Sequence, residues 1–117
     1  MNSDRLGEVQ QRLREFSEQR EWTQFHNPKN LAMLIASEAG ELLAELRWIP
    51  GDESDGFVQD PEVRKRIEQE VADILIGILI LCERIKIDPY TAINDKIEIN
   101  TINYPTDRRG MPNRKKA

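Results

Sequence analysis

The 117-residue chain has one cysteine, one histidine and seven aromatic residues. The single Cys82 excludes a disulfide framework, and its place inside an apolar run reads as a small buried hydrophobe. The single His26 excludes a di-iron carboxylate bundle, which needs two Glu-x-x-His motifs. Long apolar runs are missing too. The longest, Ile74 to Leu81, is too short to span a bilayer, and the opening Met-Asn-Ser-Asp-Arg has no hydrophobic segment of the signal-peptide type. A soluble, cytoplasmic protein without membrane contact is expected. Strand signals are absent as well: no run alternates strictly between apolar and polar residues, and no internal repeat is visible. At this length one domain with a single modest core is expected.

Charge is present in both signs but unevenly placed. The net value is −4, made up of +4 over the last eleven residues and −8 over the rest. An acidic body argues against binding a nucleic-acid duplex, which a basic folded face would require. Gly110, Pro112 and Asn113 break any helix in the basic stretch, so residues 107–117 read as a solvated, disordered tail on a domain spanning 1–106.

Three Asx-Pro pairs, Asn27-Pro28, Asp60-Pro61 and Asp88-Pro89, punctuate the chain, and each reads as a helix start. The Asx oxygen caps free amides of the first turn, while proline at the first helical position gives up an N–H that has no partner there. With Ser3 as cap of the first segment, four helices are predicted: 4–20, 28–49, 61–86 and 89–103. The fold class is therefore all-α and four-helix bundle-like. The first helix carries a stripe of Leu6, Val9, Leu13 and Phe16. The second differs. Between Leu31 and Leu46 its only polar side chains are Ser37, Glu38, Glu41 and Glu45, so it has almost no solvated face. A protomer this small has too little protein to cover such a helix, and a homo-oligomer is expected.

The acids in these apolar stretches carry the chemistry. Glu38 and Glu41 form Glu-x-x-Glu on the second helix, and Glu70 and Asp73 form Glu-x-x-Asp on the third after 28 intervening residues. The helical repeat places each pair within the central apolar stripe of its helix. Carboxylates facing a core cost several kcal/mol unless a counter-charge compensates them, so the four predict a shared cation. Hard oxygen donors without a histidine select Mg²⁺ or Mn²⁺ over zinc or copper. The bland alternative pairs each acid with a basic residue, but Arg47, Arg64, Lys65 and Arg66 lie mostly on other faces. Lys96, Asn100 and Tyr104 supply the opposite polarity, spaced four residues apart along one helical face. Trp22, Phe25 and Trp48, with His26 beside them, are the flat surfaces available to an aromatic ligand.

These residues resemble the all-α nucleotide pyrophosphohydrolases related to MazG, and within them the dCTP pyrophosphatase-like branch. The resemblance covers roughly residues 16–110. It rests on Phe16, Arg20-Glu21-Trp22, Phe25-His26-x-Pro28-x-Asn30-Leu31, Ser37-Glu38-Ala39-Gly40-Glu41-Leu42-Leu43, Trp48, Glu70-x-x-Asp73 and Lys96-x-x-x-Asn100-x-x-x-Tyr104-Pro105. It implies Mg²⁺-dependent hydrolysis of a nucleoside triphosphate to the monophosphate and pyrophosphate, in a homotetramer. It also places Trp22, His26 and Trp48 at the nucleobase, and Lys96, Asn100 and Tyr104 at the phosphates and sugar. Glu41, Glu70 and Asp73 are the main expected metal ligands. Glu38 is expected both to contact the metal and to orient or deprotonate the attacking water.

Two positions depart from the pattern. Gly77 stands where relatives often carry tyrosine, leaving room for a larger base or for a neighbouring helix. Ala44 replaces an acid that here moves to Glu45, a substitute ligand or a group supporting one. The base therefore stays open, with dUTP, a damaged nucleotide and phosphoribosyl-ATP as alternatives to dCTP. A non-catalytic helical interaction module is the reading from another class.

Overall fold

The computed structural model describes residues 4–108, and these contain helices with no strand among them. Helix α1 spans Arg5–Gln19, α2 Pro28–Leu46, α3 Gly51–Phe57, α4 Pro61–Ile85 and α5 Pro89–Asn103. The chain falls into two compact units, one ending at Lys86 and one beginning at Ile87. The sequence-based division at residue 106 lies inside the second unit, and its tail from 109 onward lies outside the described residues. No helix among those described is long and apolar enough to cross a membrane.

Helix boundaries follow the punctuation with physical exceptions. Asn27 accepts from the Asn30 amide at 2.8 Å and Asp60 from the Val63 amide at 3.2 Å, so both cap their helices. Asp88 does not bond a backbone amide; its carboxylate accepts instead from the Thr91 hydroxyl at 2.7 Å. The first helix is capped by Asp4, which accepts from the Gly7 amide; the expected cap, Ser3, lies outside the described residues. The second ends at Leu46 rather than 49, and a short fifth helix, α3, follows Pro50. Its sequence, Gly-Asp-Glu-Ser-Asp-Gly-Phe, has no apolar period to announce it.

Within the first unit α4 packs along α2, and α1 packs on α4. Leu31 (1% exposed), Val63 and Cys82 form the small buried core. Gly77 is buried at the α2–α4 seam, where a Cβ would meet Ile35 Cγ1 at 3.0 Å. The missing side chain thus admits the neighbouring helix. Much of α2 remains open in the protomer, with Met33 and Leu43 about 60% exposed.

Helix α1 is turned differently from its apolar stripe. Val9 and Phe16 are exposed, whereas Ser17 is 3% exposed and Leu13 and Arg14 are half-buried against α4. The helix stops in a Schellman motif: the Trp22 amide donates to Ser17 O at 2.9 Å and the Glu21 amide to Glu18 O at 3.0 Å. Glu21 takes the left-handed conformation (φ 57°) this motif demands, without being glycine. Phe16 and Trp22 make the apolar contact that accompanies the stop, edge to face with centroids 5.6 Å apart.

Candidate functional site

The α2–α4 seam gathers acids. One carboxylate oxygen from each of Glu38, Glu70 and Asp73 lies within 4.8 Å of the others. The i, i+3 spacing sets Glu70 and Asp73 on one face of α4, and the close packing at Gly77 one turn further on brings α2 and its Glu38 alongside. Glu38 and Glu70 are half-buried, and Glu70 Oε1 is buried with no hydrogen-bond partner. Burial first, then the charges of Glu38, Glu41 and Asp73, push the Glu70 pKa above its ordinary value. An orphaned buried oxygen amid like charges is the arrangement a hard divalent cation would satisfy, so Mg²⁺ or Mn²⁺ fits the donor set.

Glu41 is exposed and stands outside this three-residue group, although its charge reaches Glu70. Glu45 does not join the cluster. It accepts from Arg66 Nε at 3.0 Å, clamping α2 to α4 one turn from Glu41 and one turn from Glu70.

The aromatic candidates separate. Trp22 is 46% exposed and belongs to the α1 stop, whereas Trp48 is 82% exposed just past the end of α2, with the Arg47 guanidinium 5.2 Å from its ring centre. Helix α2, about 28 Å long, stands between them. His26 follows a 3-10 turn, Thr23–Phe25, that Arg84 anchors to α4 by donating to Thr23 O at 3.2 Å. His26 Nδ1 is buried without a hydrogen-bond partner; desolvation, then the Arg84 charge, lowers its pKa from 6.5.

In the second unit, Lys96 and Asn100 lie one turn apart on α5. Tyr104 leaves their helical face. It is the C-cap, with non-helical φ −127° and its amide bonded to Asn100 O at 2.8 Å.

A cleft that the sequence did not reveal lies between α1, the 3-10 turn and the C-terminal half of α4. It has a volume of about 190 Å³, with Leu13 and Ile80 among its apolar walls and Arg14, His26 and Glu83 among its polar groups. Arg14 Nη1 is buried without a hydrogen-bond partner and stands 3.7 Å from Glu83 Oε2. The sequence hides this cleft because Val9 and Phe16 make a better apolar stripe than the polar positions of α1 that line it.

No protein-family model matches the chain. It is 33% identical over 100 residues to dCTP pyrophosphatase 1 of Bos taurus, covering 86% of this chain and 59% of that protein. The Homo sapiens protein of the same name is 31% identical over 110 residues, covering 94% of this chain and 65% of that one. The chain thus spans about three-fifths of the length of these relatives. A crystal structure of a pyrophosphatase from Archaeoglobus fulgidus DSM 4304 superposes with a TM-score of 0.84 at 36% identity, covering 91% of this chain and 97% of that one. An all-helical fold with acids gathered at the α2–α4 seam, together with near-complete coverage of a pyrophosphatase at this identity, leads to one assignment: the chain belongs to the dCTP pyrophosphatase-like, MazG-type family.

Proposed function

We propose that this chain is a Mg²⁺-dependent nucleoside triphosphate pyrophosphohydrolase, with Mn²⁺ as an alternative ion. Its substrate on this reading is a deoxynucleoside triphosphate, dCTP or a modified relative, and its role is clearing such nucleotides from the cytoplasmic pool. The observation that carries the proposal is the Glu38, Glu70 and Asp73 cluster with the buried, unpartnered Glu70 Oε1. A triphosphate brings about four negative charges to carboxylates, so the two need divalent cations between them.

Glu38, Glu70 and Asp73, joined by Glu41 at the exposed edge, would hold the metal. Bound there, Mg²⁺ supplies charge neutralisation at the phosphate oxygens. Glu38 orients the attacking water and takes its proton. The water oxygen bonds to the α-phosphorus in line with the bridging oxygen that leaves with pyrophosphate. Lys96 offers a cation to the phosphates, Asn100 and Tyr104 offer hydrogen bonds to phosphate or sugar, and Trp22, His26 and Trp48 meet the base. Because α2 separates Trp22 from Trp48, one base can meet both only where a second copy supplies one of them. Together with the open Met33 and Leu43 surface, this supports a homo-oligomer, a tetramer on family grounds.

The test is pyrophosphate release from a panel of canonical and modified nucleoside triphosphates, phosphoribosyl-ATP included, in Mg²⁺ and in EDTA. Metal-dependent release that Glu38→Gln lowers by about 10²-fold or more is expected. No release from any member, with melting unchanged by EDTA, would instead favour an interaction module.

A further inference from the structure

We infer that Arg14 and Glu83 form a pair that reads the polar edge of the nucleobase, with Glu83 accepting from an exocyclic amino group and Arg14 donating to the ring nitrogen beside it. The inference rests on the proposed nucleotide reaction and extends it to residues outside the carboxylate cluster and the aromatic set. It begins with the turn of α1. A helix with Val9 and Phe16 available for burial instead directs Arg14 and Ser17 toward α4, and burying polar groups costs free energy unless they are satisfied. Arg14 Nη1 is not satisfied within the chain. Glu83 Oε2, at 3.7 Å, is too far for a hydrogen bond, so a donor and an acceptor stand side by side at the cleft with capacity left over.

The walls between them suit a flat ring. Leu13 and Ile80 offer apolar surface, and a concave, mainly apolar slot with a few fixed polar groups is what a heteroaromatic ligand requires. The placement also matches. Asp73, Gly77, Ile80 and Arg84 follow one another along a single face of α4, so the cleft wall at Ile80 lies about 10 Å along the helix axis from Asp73. That separation is comparable with the reach from the α-phosphorus of a nucleotide to the edge of its base.

The chemistry selects among bases. A carboxylate only accepts and a guanidinium only donates. Cytosine offers an amino group beside an acceptor ring nitrogen, in register with Glu83 and Arg14. Uracil held the same way sets its O4 against Glu83 and its N3–H against Arg14, acceptor to acceptor and donor to donor.

Calorimetric titration with dCMP and dUMP in EDTA tests this without depending on turnover. Wild-type protein is expected to bind dCMP about tenfold or more tighter than dUMP. Glu83→Gln, whose amide can donate to O4, should bring the ratio near one, and Arg14→Gln should weaken dCMP more than dUMP. Both side chains are more than a third exposed, and circular dichroism checks that the variants fold. In turnover assays the loss should fall on KM for dCTP rather than on kcat. A wild-type ratio near one, no dCMP binding, or a ratio unchanged in both variants would overturn the inference. Base discrimination that persists in a protein releasing no pyrophosphate would uphold the pair and sink the proposed reaction instead.

Discussion

Glu70 is the residue on which burial and like charge act together. The folded chain binds a proton there more tightly than the unfolded chain does. The contribution to metal-free stability is therefore full below the ordinary value of 4.5 and is lost as pH rises through the raised value. Urea unfolding in EDTA from pH 4.5 upward should follow that slope, and Glu70→Gln should flatten it. On the proposed reading magnesium should reverse the balance, since its ligands must be deprotonated, and at a hundredfold excess over Kd it should add about 2.7 kcal/mol. In Asp73→Asn the apo form should stay as stable as wild type or gain, while the magnesium increment disappears. His26 has the opposite sign: its lowered pKa costs stability as pH falls below 6.5, because the unfolded chain then takes up the proton first. The acids were legible in the sequence because charges embedded in apolar periodicity demand a reason. Arg14 and Glu83 were not, because a charged residue on an ordinary amphipathic helix reads as solvated until the partner helix is known.

At the scale of elements, the three Asx-Pro pairs located α2, α4 and α5, since capping depends only on neighbours in sequence. They were not equal in strength. Asn27→Ala should cost about 1 kcal/mol by thermal unfolding, and Asp88→Ala should cost less, because Asp88 bonds a hydroxyl rather than a backbone amide. The stop of α1 was illegible for the opposite reason: a Schellman motif with Glu21 at its left-handed position lacks the glycine that signals one. Glu21→Gly should relieve that conformation and stabilise the first unit by about 0.5–1 kcal/mol. By sequence Gly77 leaves room for either a larger base or a helix, and Ile35 fills that room. Gly77→Ala gains helix propensity of about 1 kcal/mol but crowds Ile35 Cγ1, so its net cost should shrink in an Ile35→Ala background. A double-mutant cycle measures that coupling.

At the scale of the molecule, the open surface of α2 was foreseen because a helix apolar all round cannot be covered by so short a chain. Its rotation against α4 was not, since that depends on which small residues meet. Light scattering behind size exclusion should find an oligomer at micromolar concentration, lost in Leu43→Glu and retained when residues 109–117 are removed. A well-folded wild-type monomer at that concentration would refute the assembly. The two tryptophans also give each protomer two separate optical channels. Trp22, against Phe16 at the end of α1, lies two residues beyond the Arg20 that stacks on the same phenyl ring, and its emission should respond to whatever enters near His26. Trp48, at the far end of α2 and largely in solvent in the lone protomer, should respond to dilution, and to a nucleotide only in the assembled protein, where a second copy brings it to the base. In Trp48→Phe the remaining Trp22 should read occupancy, and in Trp22→Phe without nucleotide the remaining Trp48 should read assembly on dilution, both without an attached label.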